Sequence, residues 1–214
     1  MYLVSDAGNQ LEMFQNDSFN PTLIDTEFAL AETLGSNTMR IFLHDLAYEA
    51  DPVGFKNRIN TVLDIAAKHG IKPLLAIFDS CGGGDPKIGQ QGQPDPGRMM
   101  SQWAQSPGVP VIENLNANLA RLEAYVKDIV GTFANDTRVL GWDVFNEPPC
   151  GGQPETANLL QLLTLVFEWA RSVDPIQPLT SPLFSTDIDK GNFQDYSAHS
   201  KIQVNNSDVI SFHE

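Results

Sequence analysis

Two adjacent polar residues, Asn146 and Glu147, are the strongest candidates for chemistry in this sequence of 214 residues. They end an apolar run of strand length that begins at Val139, and Pro148 follows them directly. Because proline disfavours helical backbone in the residue before it, we expect the strand to continue through Glu147 and to aim its carboxylate beyond the strand end. A carboxyl group held there can transfer a proton, and the Asn146 amide can hydrogen-bond a hydroxyl-rich ligand. The alternative is a solvated carboxylate at a turn.

Further polar side chains lie within or directly after other apolar segments of strand length, namely Arg40, His44, Asp45, Asp79 and His213. The carboxyl ends of parallel strands meet at one face of a (β/α)₈ barrel, where such folds place their chemistry, so we expect these side chains near Glu147. Asp79 can line a cleft and contact a sugar, or it can cap a turn. His44 and Asp45 can bind substrate or form a hydrogen-bonded pair at the barrel mouth.

Four other residues receive interpretations from their surroundings. Trp103 lies in a long loop rich in Gly, Pro and Gln, a kind of loop that is usually functional or disordered. A sugar ring could stack on its indole, but a loop anchor on the barrel rim is slightly favoured. Asp143, inside a strand, is expected to be a buried and hydrogen-bonded structural carboxylate. His69 is assigned no function, and His199 is expected to face solvent.

The elements that position these residues alternate between strand and helix. One helix is predicted to begin at Asn20-Pro21 and to end at Gly35. A second is predicted to begin at Asp51-Pro52 and to end at His69-Gly70. Two more helices follow from apolar repeats within 115–133 and 159–170. No hairpin signals interrupt this alternation, which predicts an α/β protein with a parallel sheet, specifically a (β/α)₈ TIM barrel. A doubly wound open sheet is the rival, but Gly8 alone does not make its phosphate-binding turn.

Composition limits the partners of this chain. The formal net charge of −14 argues against nucleic acid and against an anionic membrane surface. No apolar run approaches the roughly 20 residues that span a bilayer, and no targeting signal is present in the sequence as given. The cysteines and histidines form no cluster at metal-ligand spacing, so neither a metal nor another cofactor is expected. We expect a monomer acting on a neutral substrate.

The two cysteines both follow predicted strands. Cys81 comes after the strand that ends at Phe78, and Cys150 comes after the strand that carries Asn146. A disulfide is geometrically possible if those strands are neighbours. Two free thiols are slightly favoured, because spacing alone cannot show that the Cα atoms come within bridging reach.

The arrangement of these residues resembles that of the retaining glycoside hydrolases with a (β/α)₈ barrel. The similarity is carried by Asn146-Glu147-Pro148 on a fourth strand, Arg40 within the second, His44-Asp45 at its end and Ser211-Phe212-His213 on a sixth. It covers nearly the whole chain and is greatest to the cellulase-like family 5, which includes bacterial endoglucanases, mannanases and β-1,4-xylanases. The resemblance implies that Glu147 is the general acid/base and that Asn146 binds the sugar 2-hydroxyl. It also implies that Arg40 orients the nucleophile and that His213 lines the cleft.

The same resemblance implies a double-displacement mechanism on a β-linked polysaccharide or oligosaccharide, and secretion or periplasmic export from a bacterium. Such a mechanism needs a second carboxylate about 5–5.5 Å from the first. In the family this nucleophile is a Glu at the end of strand seven, and Glu214, directly after His213, is an unfavoured substitute. We therefore expect residues 1–214 to be one partial barrel domain covering roughly strands one to six, incomplete at both ends and inactive without its nucleophile.

Two other functions stay open at this point. The first is a barrel that binds carbohydrate without cleaving it. The second is an unrelated open-sheet α/β protein in which Asn146-Glu147 is a chance match. The sequence does not rank cellulose, mannan and xylan as substrates, because subsite walls are built mostly from loops.

Overall fold

A computed structural model describes residues 1–98, 100–150 and 153–213, apart from the side chains of residues 184–186. Its main sheet contains four parallel strands: β1 (Thr38–Phe42), β2 (Lys72–Asp79), β3 (Gly141–Asn146) and β4 (Leu179–Thr180). A second parallel pair consists of β5 (Leu183–Phe184) and β6 (Phe212–His213). Tyr2 makes a parallel bridge to Ile41, which places the first residues of the chain beside β1.

Each strand of the main sheet lies beside its predecessor in sequence, in the order β1-β2-β3-β4. A doubly wound sheet would reverse this order at a switch point. The sheet also curls. Nη1 of Arg40 on β1 lies 3.0 Å from Nε2 of His213 on β6. Only two residues separate β4 from β5, so these two strands share one position and β6 lies four positions from β1. In a flat sheet, four steps of about 4.8 Å would separate β1 from β6 by about 19 Å. The open-sheet alternative is therefore wrong, and the predicted (β/α)₈ fold is confirmed.

The helices lie between the strands in sequence, as βα units require. They are α1 (Gln10–Met13), α2 (Pro21–Thr33), α3 (Asp45–Ala50), α4 (Pro52–Lys68), α5 (Val109–Glu113), α6 (Leu115–Thr132), α7 (Ala157–Arg171), α8 (Ser185–Ile188) and α9 (Ala198–Asn206), with a 3₁₀ turn at Phe193–Asp195. Among the described residues, none of these helices is long and apolar enough to cross a membrane.

The predicted helix caps are confirmed. Oδ1 of Asn20 accepts the N–H of Leu23 at 3.2 Å, and Oδ1 of Asp51 accepts the N–H of Gly54 at 3.0 Å. Each cap precedes a first-turn proline, which has no N–H to leave unsatisfied. The two helices end before glycines with positive φ, 77° at Gly35 and 68° at Gly70.

The long loop between β2 and α5 folds back onto the end of β2. The N–H of Asp79 donates to the carbonyl of Ser106 at 2.6 Å, and Ser106 returns a bond of 2.9 Å. Farther along, the N–H of Gly83 donates to the carbonyl of Trp103 at 2.7 Å. The loop therefore adds a second layer of backbone pairing directly above the carboxyl ends of the strands.

Candidate active site

Glu147 stands just beyond the last residue of β3. That strand ends at Asn146, and Glu147 has φ 48°, so the expectation that the strand continues through Glu147 is wrong. The physical reason is that the chain turns at this residue through left-handed backbone, which costs a non-glycine residue roughly 1–3 kcal/mol and clusters at functional sites. The side chain is 19% exposed and still lies at the carboxyl end of the strand.

One carboxylate oxygen of Glu147 contacts a histidine. Oε1 lies against Nδ1 of His213, whose side chain is 30% exposed. The other ring nitrogen of His213, Nε2, lies 3.0 Å from Nη1 of Arg40. The imidazole therefore stands between the Glu147 carboxylate and a guanidinium. Because Arg40 can only donate, a direct bond to it requires Nε2 to accept, which leaves the proton of a neutral ring on Nδ1, facing Glu147.

Arg40 joins three strands of the barrel. Its Nη2 forms an ion pair with Asp143 and donates to Oδ1 of Asn146 at 2.7 Å. Asp143 is completely buried, as predicted; burial raises the pKa of its carboxyl, and the charge and hydrogen bond of Arg40 oppose that rise. In a regular strand, residues three apart such as Asp143 and Asn146 would point to opposite faces, yet both contact Arg40. The strict alternation of side chains is therefore broken before β3 ends.

Asn146 is held on both sides of its amide. Oδ1 accepts from Arg40, and Nδ2 donates to Oδ1 of Asp79 at 2.8 Å. Asp79 also accepts from the Cys81 N–H at 2.9 Å. It is buried, so the prediction that Asp79 lines the cleft and contacts a sugar is wrong, and the turn interpretation holds. Burial raises the pKa of the Asp79 carboxyl to about 6, against the hydrogen bonds from Trp103 and Asn146.

Trp103 anchors the long loop. Its indole N–H donates to Oδ2 of Asp79 at 2.6 Å, and its ring meets Phe42 edge-on at 5.1 Å between centroids. Only 4% of the residue is exposed, which leaves no ring face for a sugar. The loop-anchor interpretation is therefore right, and the prediction that Trp103 binds substrate is wrong.

His44 and Asp45 form a buried structural pair. Nδ1 of His44 accepts the N–H of Leu46 at 3.2 Å and caps α3. Asp45 accepts from the Ser106 hydroxyl and from Arg121, each at 2.8 Å. Burial pushes the pKa of Asp45 upward, but His44 and Arg121 outweigh it and hold the pKa at about 2. Neither side chain is accessible, so the substrate-binding prediction for His44 is wrong; Nδ1 of His44 lies 3.2 Å from Oδ1 of Asp45, and both side chains are occupied by structural hydrogen bonds to other residues.

Cys81 and Cys150 are joined by a disulfide with 5.1 Å between their Cα atoms, so the expectation of two free thiols is wrong. The cause is strand pairing, because Asp79 and Asn146 are in register on neighbouring strands and the loops after them begin side by side. Both sulfurs contact Oε2 of Glu147, Cys81 Sγ at 2.9 Å and Cys150 Sγ at 3.5 Å. The three ligand atoms lie within 4.8 Å of one another, but disulfide sulfurs are not thiolates and this group does not suit a metal ion.

The remaining histidines both contact carboxylates. His69 lies between Glu32 and Asp25, each at 2.8 Å, and these carboxylates raise the pKa of its imidazole. His199 contacts Glu155 through Nδ1 and lies 3.1 Å from Ser197 Oγ through Nε2, so the expectation that it faces solvent is wrong. The proposed substitute nucleophile, Glu214, lies outside the described residues.

Sequence reasoning missed two contacts of this site. The first is the ion pair between Arg40 and Asp143, for which the sequence carries no signal. The second is the contact of the disulfide with Glu147, for which a signal existed, since Cys150 follows Glu147 by three residues and both cysteines follow strands. The described residues thus place one carboxylate at a barrel mouth, with an imidazole on one edge and a disulfide on the other.

Curved parallel strands with polar side chains at their carboxyl ends define a (β/α)₈-barrel protein. The chain is 25% identical to mannan endo-1,4-β-mannosidase F of Aspergillus clavatus over 154 residues, which are 69% of this chain and 32% of that protein. It superposes on the β-1,4-mannanase of the sea hare Aplysia kurodai with a TM-score of 0.65 and 16% identity, covering 97% of this chain and 70% of that one.

A third likeness is to the GH5_18 protein of Streptomyces cattleya in complex with Manβ1-4GlcNAc, with a TM-score of 0.62, 11% identity and coverage of 97% and 50%. No protein-family model matches the chain. The chain spans about a third of the length of the fungal relative, 32%. The comparisons thus show a sequence similarity to a mannan endo-1,4-β-mannosidase over part of its length, and a fold shared with β-1,4-mannanase structures.

Proposed function

We propose that the full-length protein is a retaining glycoside hydrolase that cleaves β-1,4-linked mannose polymers, with Glu147 as the general acid/base. The observation that carries this proposal is the position of the Glu147 carboxylate, partly exposed just beyond β3 and held against His213. The choice of mannan is supported by the fungal relative and the sea hare structure, both of which carry mannan-cleaving names.

In this mechanism Glu147 first donates a proton to the leaving glycosidic oxygen and later takes one from the attacking water. The imidazole of His213 fixes the orientation of the carboxyl group between these two steps. The nucleophile must lie about 5–5.5 Å from Glu147, and we propose that it belongs to a part of the barrel outside the present chain. The tests below therefore use the full-length protein.

Asn146 and Arg40 are proposed as binding and orienting groups. Asn146 lies next to Glu147 with its amide orientation set by Arg40 and Asp79, and its second Nδ2–H is free of those two bonds. Only 4% of Asn146 is exposed, but a single N–H needs far less open surface than the ring face that stacking requires, so a sugar 2-hydroxyl can accept from that hydrogen. Arg40 carries a positive charge at the strand ends, which suits a partner carboxylate such as the nucleophile.

The test compares wild type with Glu147→Gln on mannan, β-glucan and xylan. We expect mannan to be the substrate cleaved and its kcat/KM to fall at least a hundredfold in the variant, the usual scale for removing a general acid/base. Glu168→Gln is the matched control, because Glu168 is an exposed carboxylate within α7, and this variant should retain wild-type rates.

Two results would contradict the proposal. An unchanged rate in Glu147→Gln would remove Glu147 from the chemistry. Binding of mannan without cleavage by the wild type, measured by calorimetry alongside reducing-sugar release, would instead identify a carbohydrate-binding barrel.

A further inference from the structure

We infer that the Cys81–Cys150 disulfide is a positioning group for Glu147, an inference that rests on the proposed general acid role. Both sulfurs contact the same carboxylate oxygen, Oε2, at 2.9 Å and 3.5 Å. A disulfide sulfur carries no proton and is at most a weak acceptor, so it contributes no strong hydrogen bond to an ionised carboxylate. What it contributes is a fixed wall that keeps water from one edge of the carboxyl group.

The strand does not fix Glu147 by itself. β3 ends at Asn146, and Glu147 turns away with φ 48°, so its side chain belongs to the loop that follows. Side chains on loops are placed less accurately than those on strands unless other contacts restrain them. Cys150 lies on this loop three residues after Glu147 and is covalently tied to Cys81.

Cys81 in turn is held by the end of β2. Its N–H donates to Oδ1 of the buried Asp79 at 2.9 Å, and the N–H of Ser80 donates to the carbonyl of Asn146 at 3.1 Å. The disulfide therefore connects the loop of Glu147 to a rigid strand end. His213 restrains the opposite carboxylate oxygen, Oε1, from β6. With these contacts on both oxygens, the carboxyl group is restrained on two sides.

The loop has a second tie that does not touch Glu147. Nε2 of Gln153 donates to the carbonyl of Ser80 at 2.9 Å and to Oε1 of Gln105 at 3.0 Å. Gln153→Ala therefore removes a tie of the same loop to the same strand end and leaves the carboxylate contacts in place. It is the matched control for loss of the disulfide.

The experiment compares wild type, Cys81→Ala/Cys150→Ala and Gln153→Ala on two substrates. Mannan has a poor leaving group that needs a proton, whereas 2,4-dinitrophenyl β-mannobioside releases a phenolate that needs none. We expect the double variant to lose between about ten- and a hundredfold in kcat/KM on mannan, the scale for misplacing a reacting group by about 1 Å, and less than about threefold on the aryl substrate. Gln153→Ala should leave the ratio of the two rates unchanged.

A double-mutant cycle distinguishes an effect on the position of Glu147 from a general loss of order in the active site. In a Glu147→Gln background, removal of the disulfide should cost no further activity on mannan, because the carboxyl that it positions is already gone. Equal losses on both substrates, or an undiminished effect in the Glu147→Gln background, would overturn the inference while the proposed function stands.

Hydrogen exchange provides a readout that needs no activity. If the disulfide restrains the loop, the amides of Glu147, residue 150 and Gln153, whose N–H donates to the carbonyl of residue 150, should exchange faster in Cys81→Ala/Cys150→Ala than in wild type, while those of β1 should not change. Unchanged exchange at Glu147, residue 150 and Gln153 overturns the inference even if the wild type proves inactive. Faster exchange together with an inactive wild type would support restraint of Glu147 and reject only the proposed function.

Discussion

Asp79 is a buried titratable residue beside this site, and it receives hydrogen bonds from Asn146, Trp103 and the Cys81 backbone. Burial raises the pKa of its carboxyl from 3.8 to about 6. A folded-state pKa above the unfolded value means that the stabilisation is fully present below pH 3.8 and is lost as the pH rises through about 6. The contribution of Asp79 to the free energy of unfolding is therefore smaller at neutral pH than at acidic pH.

Asp79→Asn should remove this pH dependence. The free energy of unfolding of the wild type, relative to the variant, should fall by about 3 kcal/mol in total as the pH rises from about 3 to about 7, at 1.36 kcal/mol per unit of the difference between the pKa of about 6 and the value of 3.8. Urea denaturation across that pH range is the measurement, with the exposed Asp85→Asn as the control. A constant difference between wild type and Asp79→Asn would show that Asp79 titrates normally in the folded protein.

At the scale of residues, the sequence predicted which residues take part in the site more accurately than it predicted the direction of their side chains. Asn146, Glu147, Arg40 and His213 do come together. Asp79 and His44 were equally good candidates by position, yet both are buried, because side-chain direction at a strand end depends on the breakdown of strict alternation and not on spacing.

At the scale of elements, Trp103 is one of the residues that tie the long loop after β2 to the strand ends. The indole N–H of Trp103 donates to a carboxylate, whereas the indole N–H of Trp142, equally buried, donates to the neutral amide of Gln177 at 3.2 Å. Hydrogen bonds to charged groups contribute about 1.5–3 kcal/mol and neutral ones about 0.5–1.5. The two tryptophans therefore form a matched pair.

Trp103→Phe should lower the free energy of unfolding by roughly 1 kcal/mol more than Trp142→Phe at pH 8, where Asp79 is ionised, with similar loss of volume in both. The excess should disappear at pH 4, where the Asp79 carboxyl, with its pKa of about 6, is protonated. Chemical denaturation of both variants at the two pH values tests this. Equal costs at pH 8 would mean that the ionised carboxylate does not strengthen the anchor.

The helices were predictable from local signals and the loop was not. Capping residues and first-turn prolines specify where α2 and α4 begin through contacts within a few residues. The loop is held by bonds between positions far apart in sequence, such as Asp79 with Trp103 and Cys81 with Cys150. No local pattern encodes those partners, so composition alone could not decide between an ordered loop and a disordered one.

At the scale of the whole molecule, the order of elements was enough to predict a barrel, since alternating strands and helices without hairpins allow few topologies. The curvature itself depends on packing inside the barrel. Arg40 spans this interior, because it contacts Asp143 and Asn146 on β3 and His213 on β6. The sequence shows that Arg40 lies on a strand but not that it reaches across to these partners.

Removal of the guanidinium should therefore destabilise the whole arc of strands. Arg40→Met leaves the buried Asp143 carboxylate without its cation, which typically costs 3–5 kcal/mol, whereas Arg40→Met combined with Asp143→Leu removes both charges and should recover much of that loss. Arg138→Met is the control, since its pairs with Asp64 and Asp136 lie nearer the surface and should contribute about 0–1 kcal/mol. Urea unfolding of wild type, Arg40→Met, Asp143→Leu and the double variant gives the coupling energy, with Arg138→Met measured beside them. If the double variant were no more stable than Arg40→Met, the ion pair would not be what Arg40 contributes, and its contact with His213 across the barrel would be the stabilising interaction.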